Sequence, residues 1–117
     1  MKNYFKNKLV VSIEQAVAAP YCTAKLADAG ARVIKIERKE GDFARYYDDF
    51  VKGESTYFVW LNRGKESLIA NIKDAKDVKL LKSIISKADI FVQNLGPGVL
   101  GRVGLDSTSL RRKYKSL

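Results

Sequence analysis

The stretch Leu9-Val10-Val11-Ser12-Ile13-Glu14-Gln15-Ala16-Val17-Ala18-Ala19-Pro20 decides the architecture of this chain. Its first five residues are mostly apolar and β-branched, and short enough for a buried strand. Pro20 suits the first turn of a helix, where a missing N–H costs nothing. That helix would run to about Ala29, with Gly30 as its stop signal. Val33, Ile34 and Ile36 then make a second strand, so a βαβ unit with a right-handed crossover is expected. A second junction of the same kind, Gln93-Asn94-Leu95-Gly96-Pro97-Gly98-Val99-Leu100-Gly101-Arg102, comes after the apolar run Ile90-Phe91-Val92. A strand entering a helix start leaves backbone N–H groups pointing outward, which predicts an anion site for a carboxylate or phosphate at each junction.

Between these junctions the pattern is less uniform. Residues 38–56 are polar and without period, as expected of a surface loop. Tyr57 to Leu61 and Ser67 to Ile72 are β-rich runs on either side of Asn62-Arg63-Gly64-Lys65, a plausible turn. Asp74 fits an N-cap, and Val78, Leu81, Ile85 and Ala88 recur at helical spacing beyond it. Two short helices should come after the Gly-Pro-Gly turn, the second capped by Asp106 or Ser107. Strands alternating with helices predict an α/β fold: an open, mostly parallel sheet with ligands at the carboxyl ends of its strands. The G-x-G-x-x-G fingerprint is absent, so NAD binding is not supported. Residues 1–8 read as a basic lead and residues 9–117 as a single domain portion.

Composition narrows the chemistry. A formal charge of +9 predicts attraction to polyanions. The basic residues are spread along the chain rather than gathered in one stripe, and no zinc-finger or RNA-binding signature appears, which argues against a nucleic-acid-binding domain. Cys22 is the single cysteine and there is no histidine, so the chain itself offers no Cys-His or Ser-His-Asp pair and no cysteine metal cluster. No apolar run approaches the ~20 residues that cross a bilayer. The basic start leads into apolar residues, but Glu14 and Gln15 interrupt them, so a cytoplasmic location is expected rather than secretion.

Five stretches, in order, resemble the N-terminal part of the family III CoA-transferases: Ala19-Pro20-Tyr21-Cys22-Thr23; Leu26 through Glu37; Gly41-Asp42 with Arg45; Asn62 through Ser67; and Ala88-Asp89 through Gly104-Leu105. The resemblance implies a Rossmann-like large domain, here incomplete, and a dimer whose chains interlock. It implies transfer of CoA between an acyl-CoA and a carboxylic acid, with CoA as substrate and no permanently bound cofactor. Carboxylate nucleophiles divide such an exchange into easier covalent steps. In this family an aspartate forms a mixed anhydride and then an aspartyl-CoA thioester, and it lies beyond the region matched. The chain alone is therefore expected to be inactive.

The resemblance also nominates residues. Arg38, Lys73, Asn94, Leu95, Gly96, Gly98 and Arg102 would contact CoA; a guanidinium at Arg38 can stack on adenine and pair with phosphate. Gln15, Ala16 and Val17, beside Glu14, would face the acyl group, and Arg45 would pair with a distal carboxylate. Val17 stands where some relatives carry a glutamine that orients the substrate or the thioester, which argues against the oxalate-type arrangement; Glu14 through Pro20, with Gly41 through Arg45 and Phe58 through Arg63, resembles members acting on four- and five-carbon dicarboxylates. Lys35 is expected at the surface or in a subunit contact. Two alternatives to the transferase reading are a non-catalytic CoA or nucleotide binder and a basic nucleic-acid-binding domain.

Overall fold

The computed structural model describes residues 3–117. Four strands, β1 (Leu9–Ile13), β2 (Arg32–Glu37), β3 (Lys65–Ile69) and β4 (Ile90–Gln93), form one parallel sheet in the order β3-β2-β1-β4. Val10 lies opposite Val33 on one side and Ile90 on the other, which fixes two faces. Val11, Ile13 and Ile36 point to the face covered by α3 (Ala75–Ile85) and α4 (Ser107–Lys113), where Leu81, Ile85, Leu105 and Leu110 complete the larger core. Val10 and Val33 point to the opposite face, against Leu26 and Ala27 of α1 (Ala18–Asp28).

The helices end where their sequence dictates. Asp74 caps α3 by accepting from the Lys76 and Asp77 N–H groups, and Asp106 caps α4 through the Ser109 N–H. Gly30, at φ +100°, takes the backbone out of α1 in a conformation that side-chain-bearing residues rarely adopt.

Three expectations need correction. Tyr57–Leu61 is not a strand but part of α2 (Thr56–Asn62), capped by the Ser55 side chain on the Phe58 N–H. A helix lets Leu61 enter the core while Tyr57 and Trp60, three residues apart, share the outer face with Tyr21. The loop of residues 38–56 is not wholly superficial: it carries a 3-10 turn at Phe43–Tyr46, and Asp42, Ala44 and Ser55 are buried. Lys35 lies neither at the surface nor in a subunit contact, for it is 1% exposed inside the domain.

Candidate functional site

The carboxyl ends of β1, β2 and β3 open into a cleft of about 780 Å³. Ile13, Ile36, Ile69, Leu95 and Val99 supply its apolar lining. Its lining includes the exposed cations Arg38, Lys39 and Lys73 together with the carboxylates of Glu40 and Asp77. This is where an open parallel sheet collects its ligands, because the strand ends and their loops leave a crevice there.

Arg38 is already arranged. Its Nε donates to the Gly41 carbonyl at 3.1 Å, and its guanidinium lies 4.1 Å from the Phe43 ring centroid. The two terminal nitrogens have no partner among the described residues, so their four N–H donors remain for an anion while the plane lies against an aromatic face. Gly41 is required here: at φ +83°, an added Cβ would come 2.7 Å from Cδ of Arg45.

Of the nominated residues, the cleft therefore gathers Gln15, Arg38, Lys73 and Leu95. Gly96 and Gly98 line a second cleft at the far side of β4, and Arg102 is exposed on the 3-10 turn Gly101–Val103, outside both clefts. Asn94 acts on backbone, accepting from the Gln15 N–H at 2.9 Å and donating to the Gln15 carbonyl at 2.8 Å. Ala16 sits at φ +64°, with its N–H given to Asp42 Oδ1 at 2.8 Å, and Val17 is exposed just before α1. Arg45 forms a two-pronged pair with Glu37, at 2.9 and 2.8 Å, and stacks 3.8 Å from the Phe58 ring centroid.

Internal bonds take some of the N–H groups at the two junctions. The Gln15 and Ala16 N–H groups are taken by Asn94 and Asp42. The Leu95, Val99 and Arg102 N–H groups are taken by Gln93 Oε1 and by the Gly96 and Gly98 carbonyls, and the chain enters a single 3-10 turn there rather than a long helix.

Beneath the loop of residues 14–17 lies a buried ionic cluster that sequence reasoning missed. Lys35 Nζ donates to Asp42 Oδ2 at 2.6 Å and Asn62 Oδ1 at 2.8 Å, and lies 3.5 Å from Glu14 Oε1. Lys65 Nζ donates to Glu14 Oε1 at 2.7 Å and to the Pro20 carbonyl at 2.9 Å. The Thr23 hydroxyl donates to Glu14 Oε2 at 2.6 Å. Burial pushes the Lys65 ammonium down, against the opposing pull of Glu14. Two ammonium and two carboxylate groups balance, which is the condition for burying them at all. A signal existed: Lys35 shares a face of β2 with Val33 and Glu37, and a strand covered on both faces has no outward position. Sequence reading also passed over Lys39, Asn71 and Asp77, which line the cleft.

Glu37, at the end of β2, is part of the same wall. Burial pushes its carboxyl up, but bonds from Arg45, the Ser67 hydroxyl and the Asp42 N–H outweigh it and hold the group at about 2.

An open parallel α/β sheet with a cleft at the carboxyl ends of its strands defines the class of fold. Comparison with known proteins supplies the particular family. Residues 6–117 match CoA-transferase family III, and the chain belongs to that family. It is 38% identical to the acetyl-CoA:oxalate CoA-transferase of Acetobacter aceti over 112 residues, 95% of this chain and 29% of that protein. It is 43% identical to the human succinyl-CoA:glutarate CoA-transferase over 98 residues, 82% of this chain and 22% of that protein. Among solved structures, a CAIB/BAIF family protein from Brucella suis superposes with a TM-score of 0.87 at 31% identity, covering 96% of this chain and 31% of that one. The chain thus spans less than a third of the length of these relatives.

Proposed function

We propose that the chain supplies the CoA-binding portion of a transferase that moves CoA between an acyl-CoA thioester and a carboxylic acid. The observation that carries this reading is the cleft lined by Arg38, Lys39 and Lys73, with the Arg38 plane stacked on Phe43 and its terminal donors free. CoA offers what such a lining recognises: an adenine face and several phosphate charges. Gln15 and Leu95, deeper in the same cleft, would lie toward the acyl end.

The acid is proposed to be a dicarboxylate of four or five carbons. Support comes from the relative named for succinyl-CoA and glutarate, acids of four and five carbons, whereas the relative named for oxalate points to a two-carbon diacid. Arg45 as the partner of a distal carboxylate would have to exchange Glu37 for substrate. We further propose catalysis through an aspartyl intermediate whose nucleophile lies outside residues 1–117, action as a homodimer, and a cytoplasmic location. Ala16, Val17, Asn94, Gly96, Gly98 and Arg102 keep their proposed contacts only if ligand binding rearranges the loops that now carry them.

Calorimetric titration of the purified chain with CoA tests the reading. Saturable heat is expected, weakened about tenfold or more, which is ~1.4 kcal/mol, by Arg38→Ala combined with Lys73→Ala. No saturable heat, or stronger salt-dependent binding to duplex DNA than to CoA, would overturn it. A succinyl-CoA and glutarate assay on the chain alone should show no transfer.

A further inference from the structure

We propose that Arg45, held by Glu37, is a positioning residue that sets the Arg38 guanidinium in the cleft and itself touches neither CoA nor the acid. Glu37, Arg38, Gly41 and Asp42 line the cleft, whereas Arg45 and Phe43 do not. The Arg45 side chain packs on Gly41 instead: a Cβ added there would meet its Cδ at 2.7 Å and its Nε at 3.1 Å. Its contact with Arg38 is therefore indirect and passes through the turn of residues 38–41.

Glu37 closes that turn at both ends. Its Oε1 accepts from Arg45 Nε at 2.9 Å and from the Asp42 N–H at 3.0 Å, and its Oε2 accepts from Arg45 Nη2 at 2.8 Å. The Arg45 N–H in turn donates to the Asp42 carbonyl at 3.0 Å. Inside the turn, the Gly41 N–H donates to the Arg38 carbonyl at 2.9 Å, and Arg38 Nε donates back to the Gly41 carbonyl at 3.1 Å. Phe43, whose ring centroid lies 4.1 Å from the Arg38 guanidinium, belongs to the same 3-10 turn as Arg45. Arg45 is itself braced by the Phe58 ring of α2 at 3.8 Å. Both groups that orient Arg38, the Gly41 carbonyl and the Phe43 ring, are thus located by the Glu37–Arg45 pair. A guanidinium held before the ligand arrives avoids the cost of ordering a free side chain on binding. This role keeps Glu37 in place, whereas pairing of Arg45 with a distal carboxylate would displace it.

The effect on affinity rests on the CoA reading of the cleft, whereas the orientation of Arg38 does not, so the two are measured separately. In NMR spectra of the full chain, the Phe43 ring should shift the Arg38 side-chain protons away from the positions of a solvated arginine, and Phe43→Leu identifies those signals. Arg45→Ala should return them to solvated positions while the amide spectrum stays that of a folded chain. CoA titration should weaken about fivefold or more for Arg45→Ala, yet less than about twofold when Arg38 is already alanine, because residues that act through one another are not additive. If Arg45→Ala fails to fold, Arg45→Lys, which keeps the charge beside Glu37 but not the fork, should show the same two losses. Arg38 signals unmoved in a folded variant, equal losses of affinity with and without Arg38, or displacement of the Arg45 Nε–H signal from its Glu37-bound position by CoA with glutarate would each overturn the inference. No heat from the parent with CoA overturns the CoA reading, and the Arg38 signals then decide the positioning role by themselves.

Discussion

Lys35 Nζ lies 2.6 Å from Asp42 Oδ2, with both side chains no more than 1% exposed. One end of this pair is fixed in β2 and the other in the loop just beyond it. Asp42 uses its second oxygen on the backbone, accepting from the Ala16 and Ala44 N–H groups at 2.8 and 2.9 Å. The pair therefore ties the loop after β1 to the loop after β2, across the mouth of the cleft. Its burial is tolerable because Glu14, Asn62 and Lys65 complete the set of partners.

Asp42→Ala removes one carboxylate from this set and leaves the Lys35 ammonium facing mainly Glu14. The Ala16 N–H is orphaned at the same time. Loss of one member of a buried pair costs about 3–5 kcal/mol, and urea unfolding of the variant should show a loss of that order. A loss below about 1 kcal/mol would place the pair at a solvated surface instead.

Glu37 gives the fold an acid limit. Its carboxyl is lowered in the folded protein from an ordinary 4.5 to about 2. A depressed carboxylate stabilises the fold above its unfolded value, and that stabilisation is lost as pH falls toward the folded value. Stability measured by denaturant titration should therefore decline between about pH 4.5 and pH 2. Glu37→Gln should flatten that decline while lowering stability at pH 7, since Arg45 loses its bidentate partner. An unchanged acid profile in the variant would assign the decline to other carboxylates.

Arg38 should not be replaceable by lysine. Lysine keeps the charge but loses both the planar face against Phe43 and the fork of donors. If CoA is held there, Arg38→Lys should weaken binding by about tenfold, nearly as much as Arg38→Ala. The same substitution should leave Tm within about 1 °C, because Arg38 is exposed and makes one bond to a carbonyl. Equal affinity of the lysine variant would reduce the role of Arg38 to charge alone.

The parallel sheet was legible because its strands differ so plainly from their surroundings. Leu9–Ile13 is apolar on both sides of the pleat, as a strand covered on both faces must be, and Ile90–Gln93 is nearly so. The caps at Asp74 and Asp106 were legible for a local reason, since a short carboxylate side chain reaches its own helix's N–H groups. Arg38 and Lys73, which line the cleft, were nominated by the family resemblance and not by the residue pattern, since a cation after a strand is more often merely solvated. The buried cluster was not legible, because Glu14, Lys35, Asp42 and Lys65 come from four separate segments. Their pairing exists only once β1, β2 and β3 are in register. Composition counted them as solvated charges.

Residues 57–61 were misread for a reason that can be tested. Tyr, Phe, Val and Trp favour strands, and here tertiary packing overrides that preference. In a strand, Tyr57, Val59 and Leu61 would share one face and be comparably sensitive to truncation. In α2, Leu61 is fully buried while Val59 is 42% exposed. Leu61→Ala should therefore cost about 2–5 kcal/mol, whereas Val59→Ala should fall within about 0.5 kcal/mol of the parent, both by urea unfolding monitored through Trp60. Similar losses at the two positions would return the segment to a strand, and would dissolve the contact between Trp60 and Tyr21 that places α2 beside α1.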